Sequence, residues 1–98
     1  MAYLIKPDYQ KRVLALEGPD GSGKSTLYKR LVKQLKDIGF ELEEIREPGG
    51  TNIGEKIRRI LLDHAHQDMD LLTEMMLYSA SRAQLIAQRI KPALLAGK

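Results

Sequence analysis

Cysteine is absent from the 98 residues. The chain therefore has no disulfide framework, no thiolate metal site and no cysteine nucleophile, and the reducing cytoplasm is the expected compartment. No apolar run approaches the roughly 20 residues that cross a bilayer, so a membrane span is excluded. The stretch from Met1 to Asp8 lacks a basic segment followed by about 7–15 apolar residues, so a secretory signal is not expected. Neither sign of charge dominates: 16 Lys plus Arg stand against 13 Asp plus Glu, a formal charge of +3. The nearest approach to a basic cluster, Lys29, Arg30, Lys33 and Lys36, is interleaved with apolar residues at helical spacing. It reads as a solvated helix face, and a nucleic-acid partner is not expected. What is present is ordinary globular material, 43% hydrophobic and 30% charged. A chain of this length makes at most one domain and buries only about 60–65% of its unfolded surface.

Residues 1–12 are polar and carry Pro7, and they read as a leader ahead of a domain over residues 13–98. Val13-Leu14-Ala15-Leu16 is a short continuous apolar run cut off by Gly18-Pro19, which predicts a strand buried on both faces. Leu27, Leu31, Leu35 and Ile38 then recur at helical intervals, and Gly39 stops them where a left-handed cap would sit. Phe40, Leu42 and Ile45 predict a second strand, ended by Pro48-Gly49-Gly50. Asn52 with Glu55 has the spacing of a capping box, and Ile53, Ile57, Ile60 and Leu61 form the stripe of a second helix. From Asp70, an N-cap residue, a third helix runs through Leu71, Met75, Tyr78, Arg82, Leu85 and Ile90, and Pro92 kinks or restarts it. The order strand, helix, strand, helix, helix predicts the opening of an α/β fold with a parallel sheet.

The chemistry is most legible at Gly18-Pro19-Asp20-Gly21-Ser22-Gly23-Lys24-Ser25, which matches G-x-x-x-x-G-K-[ST] between a predicted strand and a predicted helix. Glycines let the backbone turn its N–H groups around phosphate oxygens, and the following helix aims its positive end at the same point. Lys24 adds a full charge toward the β/γ-phosphates, and Ser25 offers a hydroxyl for Mg²⁺. This predicts nucleoside triphosphate binding, and by itself leaves kinase, GTPase and mechanical ATPase open.

Arg46-Glu47-Pro48-Gly49-Gly50-Thr51 follows the second predicted strand, at the sheet end where ligands of open α/β folds collect. Taken alone, the hexapeptide reads first as a turn whose Pro and Gly only bend the chain. Tyr78 and Arg82 stand four apart on one helix face, where a ring could stack on a base while a guanidinium donates to its edge. The plainer alternative is a core tyrosine and a snorkelling arginine. His64 and His66, in a polar connection, read as solvated rather than metal-binding.

Several motifs arrive in a set order: Glu17 to Thr26, Arg46 to Thr51, Gly54-Glu55-Lys56-Ile57-Arg58, Leu77 to Arg82, and Ile90-Lys91-Pro92-Ala93-Leu94. Together, from Val13 to Lys98, they resemble bacterial thymidylate kinase. The resemblance implies transfer of the ATP γ-phosphoryl group to dTMP, giving dTDP, with a P-loop nucleoside-monophosphate-kinase-like parallel sheet and flanking helices. It implies that Gly18, Pro19, Asp20, Gly21, Ser22, Gly23, Lys24, Ser25 and Thr26 hold ATP, with Lys24 acting in catalysis and Ser25 beside Mg²⁺. It places Asp20 on the sugar 3′-hydroxyl of dTMP and Tyr78, where the family usually has Phe, against thymine. Arg82 would bond the base edge, Glu47, Pro48 and Arg58 would line the same pocket, and Pro48 would follow a cis peptide. Gly21 stands where some members carry an arginine, and in members without it a lid supplies the charge.

The family continues after the position of Lys98 with a strand ending in an Asp-Arg pair, then an arginine-rich lid, so the resemblance covers the first half of such a kinase. The strand that would follow lies between the two predicted here. The resemblance therefore implies an incomplete sheet, marginal stability alone and no turnover by these residues by themselves. It also suggests a homodimer. Another nucleotide kinase and an ATP-binding module without turnover are the alternatives.

Overall fold

The computed structural model describes residues 13–19 and 21–98. The expected leader over residues 1–12, and Asp20, lie outside the described residues. Regular structure consists of α1 (Lys24–Asp37), α2 (Asn52–Leu62), α3 (Leu71–Leu85), a π-helical turn at Ile86–Ile90 and α4 (Lys91–Leu95). The chain divides into two compact units, one holding the described residues up to Glu43 together with Ala93–Lys98, the other Glu44–Pro92. No helix among the described residues is long and apolar enough to cross a membrane.

The parallel sheet expected from the sequence is not there. Val13–Leu16 and Phe40–Ile45 are irregular, and the described residues contain no strand. The reason lies in where each element finds its hydrogen bonds. A helix satisfies its backbone within its own turns, whereas a strand exists only beside a partner. Among the described residues neither run has a strand neighbour to supply that ladder.

In the first unit, α1 starts at Gly23, whose φ is +84°, with no side-chain cap. Its other end is a Schellman motif, with Phe40 N–H donating to Leu35 O at 3.0 Å and Gly39 N–H to Lys36 O at 3.0 Å. Gly39 makes this possible because its φ of +100° is a conformation that side chains with a Cβ avoid. The same pattern closes α4, from Lys98 N–H to Ala93 O and Gly97 N–H to Leu94 O. Lys98 Nζ also lies 3.5 Å from Glu43 Oε2. The apolar stripe of α1 is not covered: Leu27 and Ile38 are exposed, Leu31 and Leu35 half-buried.

In the second unit α2 packs on α3. Gly54, Ile57, Arg58 and Leu61 are the less exposed face of α2, and Leu77, Ser81, Gln84 and Leu85 that of α3, each set repeating at helical intervals. Leu85 is fully buried, which favours the fold by about 1.5–3 kcal/mol. The cap of α2 is Thr51, one residue before the Asn52 expected from the sequence. Its hydroxyl oxygen accepts from Gly54 N–H at 2.8 Å, so the third helical position is a glycine and the reciprocal half of a capping box is absent. Asp70 caps α3, its carboxylate accepting from Leu72 N–H at 2.9 Å. The π-helical turn comes immediately before Pro92 is reached, where an α-helix would lack an N–H and press the ring on the carbonyl of Gln88.

Candidate functional site

The loop from Gly18 to Gly23 leads straight into α1. Ser22 N–H donates to Pro19 O at 3.2 Å, a turn that doubles the chain back. Gly21 and Gly23, with φ of +78° and +84°, face open space where a Cβ would stand. Gly18 is close to Ser22, since a Cβ there would come within 2.9 Å of Ser22 Oγ. Lys24 returns to the loop, its Nζ donating to Gly18 O at 3.0 Å. Ser25 and Thr26 are exposed in the first turn of α1, where amide N–H groups have no partner within the helix. First-turn amides, the Lys24 ammonium and two residues with hydroxyls thus belong to one helix N-terminus. That set of donors suits an anion of several charges.

The second expected site lies within the other unit, on the loop that precedes α2. The Glu47–Pro48 peptide is cis, as the resemblance implied. Glu47 and Arg82 meet as a forked pair, Nε donating to Oε1 at 2.7 Å and Nη2 to Oε2 at 3.1 Å. Arg58 Nη1 donates to Pro48 O at 2.9 Å. Glu47, Pro48, Arg58 and Arg82 are thus brought together, from a loop and two helices. Tyr78 sits one turn before Arg82 on α3 and is 42% exposed.

The loop is held by residues to which the sequence reading gave no role there. Ser81, 1% exposed, accepts from Gly49 N–H through Oγ at 3.0 Å. Glu55 Oε1 accepts from Gly50 N–H at 3.0 Å, and the Glu55 carboxylate also accepts from Arg46 Nη2 at 2.8 Å. Arg89, from the π-helical turn, donates to Gly50 O at 2.9 Å and to Glu44 O at 3.0 Å. The Gly50 amide first and then Arg46 hold the Glu55 carboxyl below its ordinary value of 4.5, against a small opposing desolvation. Ser81 could have been suspected as the neighbour of Arg82 in a quoted motif. Arg89 carries no local signal, because its partners lie 39 and 45 residues away.

A shallow open depression beside this loop is lined by Arg46, Glu55, Arg58, Arg59, Leu62 and Asp63. Arg58 is the one expected acceptor residue in it. His64 and His66 are exposed in the connection after α2, and no three metal-ligating side chains cluster among the described residues.

A family model described as thymidylate kinase matches residues 16–98. The chain is 53% identical over 81 residues to a thymidylate kinase of Exiguobacterium sp., an alignment covering 83% of this chain and 38% of the relative. It is 49% identical over 85 residues to the thymidylate kinase of Exiguobacterium sibiricum, covering 87% of this chain and 40% of the relative. The chain thus spans about two fifths of the length of these curated relatives.

Proposed function

Because the chain belongs to the thymidylate kinase family, we propose that it carries the triphosphate loop and part of the acceptor pocket of a kinase that phosphorylates dTMP. The reaction would move the γ-phosphoryl group of ATP to the phosphate of dTMP and release ADP and dTDP. The observation that carries the reading is the loop: two left-handed glycines open to space, then an N-terminus of α1 with no side-chain cap and Lys24 beside it.

In this reading Gly18 to Thr26 surround the ATP phosphates, and Lys24 exchanges the Gly18 carbonyl for a phosphate oxygen. Mg²⁺ bound with the triphosphate would neutralise part of its charge, and the exposed Ser25 hydroxyl is the group of this chain suited to hold it. The acceptor phosphate is already an anion, so no strong base is required, and alignment with charge neutralisation is the chain's main contribution. In the other unit, Tyr78 offers an exposed ring for a base to stack on. Arg82, its fork fixed by Glu47, would donate to the base edge, while Arg58 and Pro48 complete that side. The 3′-hydroxyl role of Asp20, the cytoplasm and a homodimer are carried from the family alone.

The test is a pair of variants titrated with ATP and with dTMP by calorimetry, folding being checked by circular dichroism. Lys24→Ala should lower ATP affinity by about tenfold or more and leave dTMP nearly unchanged, through loss of a charge-assisted phosphate contact. Arg82→Ala should do the reverse, because a site built for a hydrogen bond discriminates strongly once the partner is lost. Unchanged ATP affinity in folded Lys24→Ala would refute the loop's role. Equal competition by other nucleoside monophosphates would select a different nucleotide kinase.

A further inference from the structure

We infer that Ser81 is a positioning residue for the acceptor pocket, fixing the register of the Glu47–Gly50 loop against α3 and thereby the direction in which Arg82 points. This rests on the reading that Glu47 and Arg82 handle the acceptor.

Consecutive residues of α3 grip the loop at two points. Arg82 takes the Glu47 carboxylate at 2.7 and 3.1 Å, and Ser81 takes the main-chain amide of Gly49 at 3.0 Å. The two grips differ in kind. The Glu47–Arg82 pair is exposed, and water competes for it. The Ser81–Gly49 bond is dry, with Ser81 1% exposed and Gly49 buried. A buried amide that loses its acceptor must move to find another, since an unsatisfied N–H is costly there.

That movement would carry Glu47 with it, because Glu47 is two residues away across a fixed peptide and proline ring. Arg82 donates through a rigid planar fork, so a tilt of its carboxylate partner turns the whole guanidinium plane. The other contacts to the loop cannot replace Ser81. Arg58 holds Pro48 O, Glu55 holds Gly50 N–H and Arg89 holds Gly50 O, and none of these supplies an acceptor to Gly49 N–H.

The experiment uses the full chain and three variants: Ser81→Ala and Ser81→Cys, which remove a good acceptor, and Ser81→Thr, which keeps one. Affinities for dTMP and ATP are measured by calorimetry, and exchange of the Gly49 amide is followed by NMR. Ser81→Ala and Ser81→Cys should each lose about tenfold in dTMP affinity with ATP affinity unchanged, and Ser81→Thr should recover most of that loss. If Gly49 exchanges freely in Ser81→Ala while dTMP affinity stays within about twofold, the positioning role is overturned. Parallel losses for ATP and dTMP would also overturn it, as general damage to the fold. A wild-type protein that binds ATP and not dTMP would overturn the acceptor reading itself, and is recognised before any variant is made.

Discussion

Glu55 joins three parts of the second unit: its carboxylate accepts from the Gly50 amide and from Arg46 while its own helix packs on α3. Hydrogen bonds to the charged form lower a carboxyl pKa, and such a group stabilises the fold above its unfolded value, losing that contribution as pH falls through the folded one. Wild type should therefore be more stable than Glu55→Gln at neutral pH. The difference should be full above the ordinary value of 4.5 and should shrink as pH falls below it. Urea titrations of both proteins between neutral and acid pH would check this, and a constant difference would contradict it. Gly50 is the second decisive residue of the loop. Its φ is +82°, and a Cβ would stand 2.7 Å from Leu85 Cδ1 and 3.2 Å from Arg46 O. Gly50→Ala should cost about 1–2 kcal/mol from backbone conformation alone, with crowding of Leu85 added, as read from the urea midpoint.

At the scale of elements, helix ends place the chemistry. The N-terminus of α1 follows the Gly18–Gly23 loop, and its cap residue Gly23 has no side chain to bond the first-turn amides. The N-terminus of α2 is used differently, closed by a Thr51 that is only 6% exposed. Thr51→Ala should destabilise the chain by about 1 kcal/mol, and Thr51→Ser should restore most of it because the acceptor oxygen returns. Thermal melts followed by circular dichroism give both values. A loss in Thr51→Ala that Thr51→Ser fails to restore would mean that the buried methyl, not the cap, carries the effect. The π-helical turn is a third device of this kind. It precedes Pro92 and supplies Arg89, whose guanidinium bridges Glu44 O and Gly50 O.

At the scale of the whole molecule, Leu85 is the only large apolar side chain fully buried among the described residues. Leu27, Ile38, Leu71, Met75 and Met76 are all exposed by more than half, Leu71 by 81%. Apolar area left in water contributes nothing to folding and promotes association. A polypeptide of these 98 residues alone should unfold in urea with a shallow transition, bind a hydrophobic dye and sediment with a concentration-dependent mass. A sharp, cooperative transition would count against this expectation.

Local interactions were legible in the sequence and long-range ones were not. The Gly39 stop and the Asp70 cap were readable because each rests on residues within a few positions. Glu47, Pro48, Arg58, Tyr78 and Arg82 were singled out through motif order and a resemblance, and the structure joins Glu47 to Arg82 and Pro48 to Arg58. The cap of α2 was misplaced by one residue because Thr51 and Asn52 are both capping types, and packing of the loop chose between them. The sheet failed as an expectation because an apolar run specifies a strand only when a neighbour supplies its ladder. What the amino-acid order determined by itself was the three main helices, the Gly39 stop and the Asp70 cap. Tertiary structure alone decided that Ser81 and Arg89 hold the Glu47–Gly50 loop, because their bonds join residues 32 and 39 positions apart, and the packing of helix on loop brings them within reach.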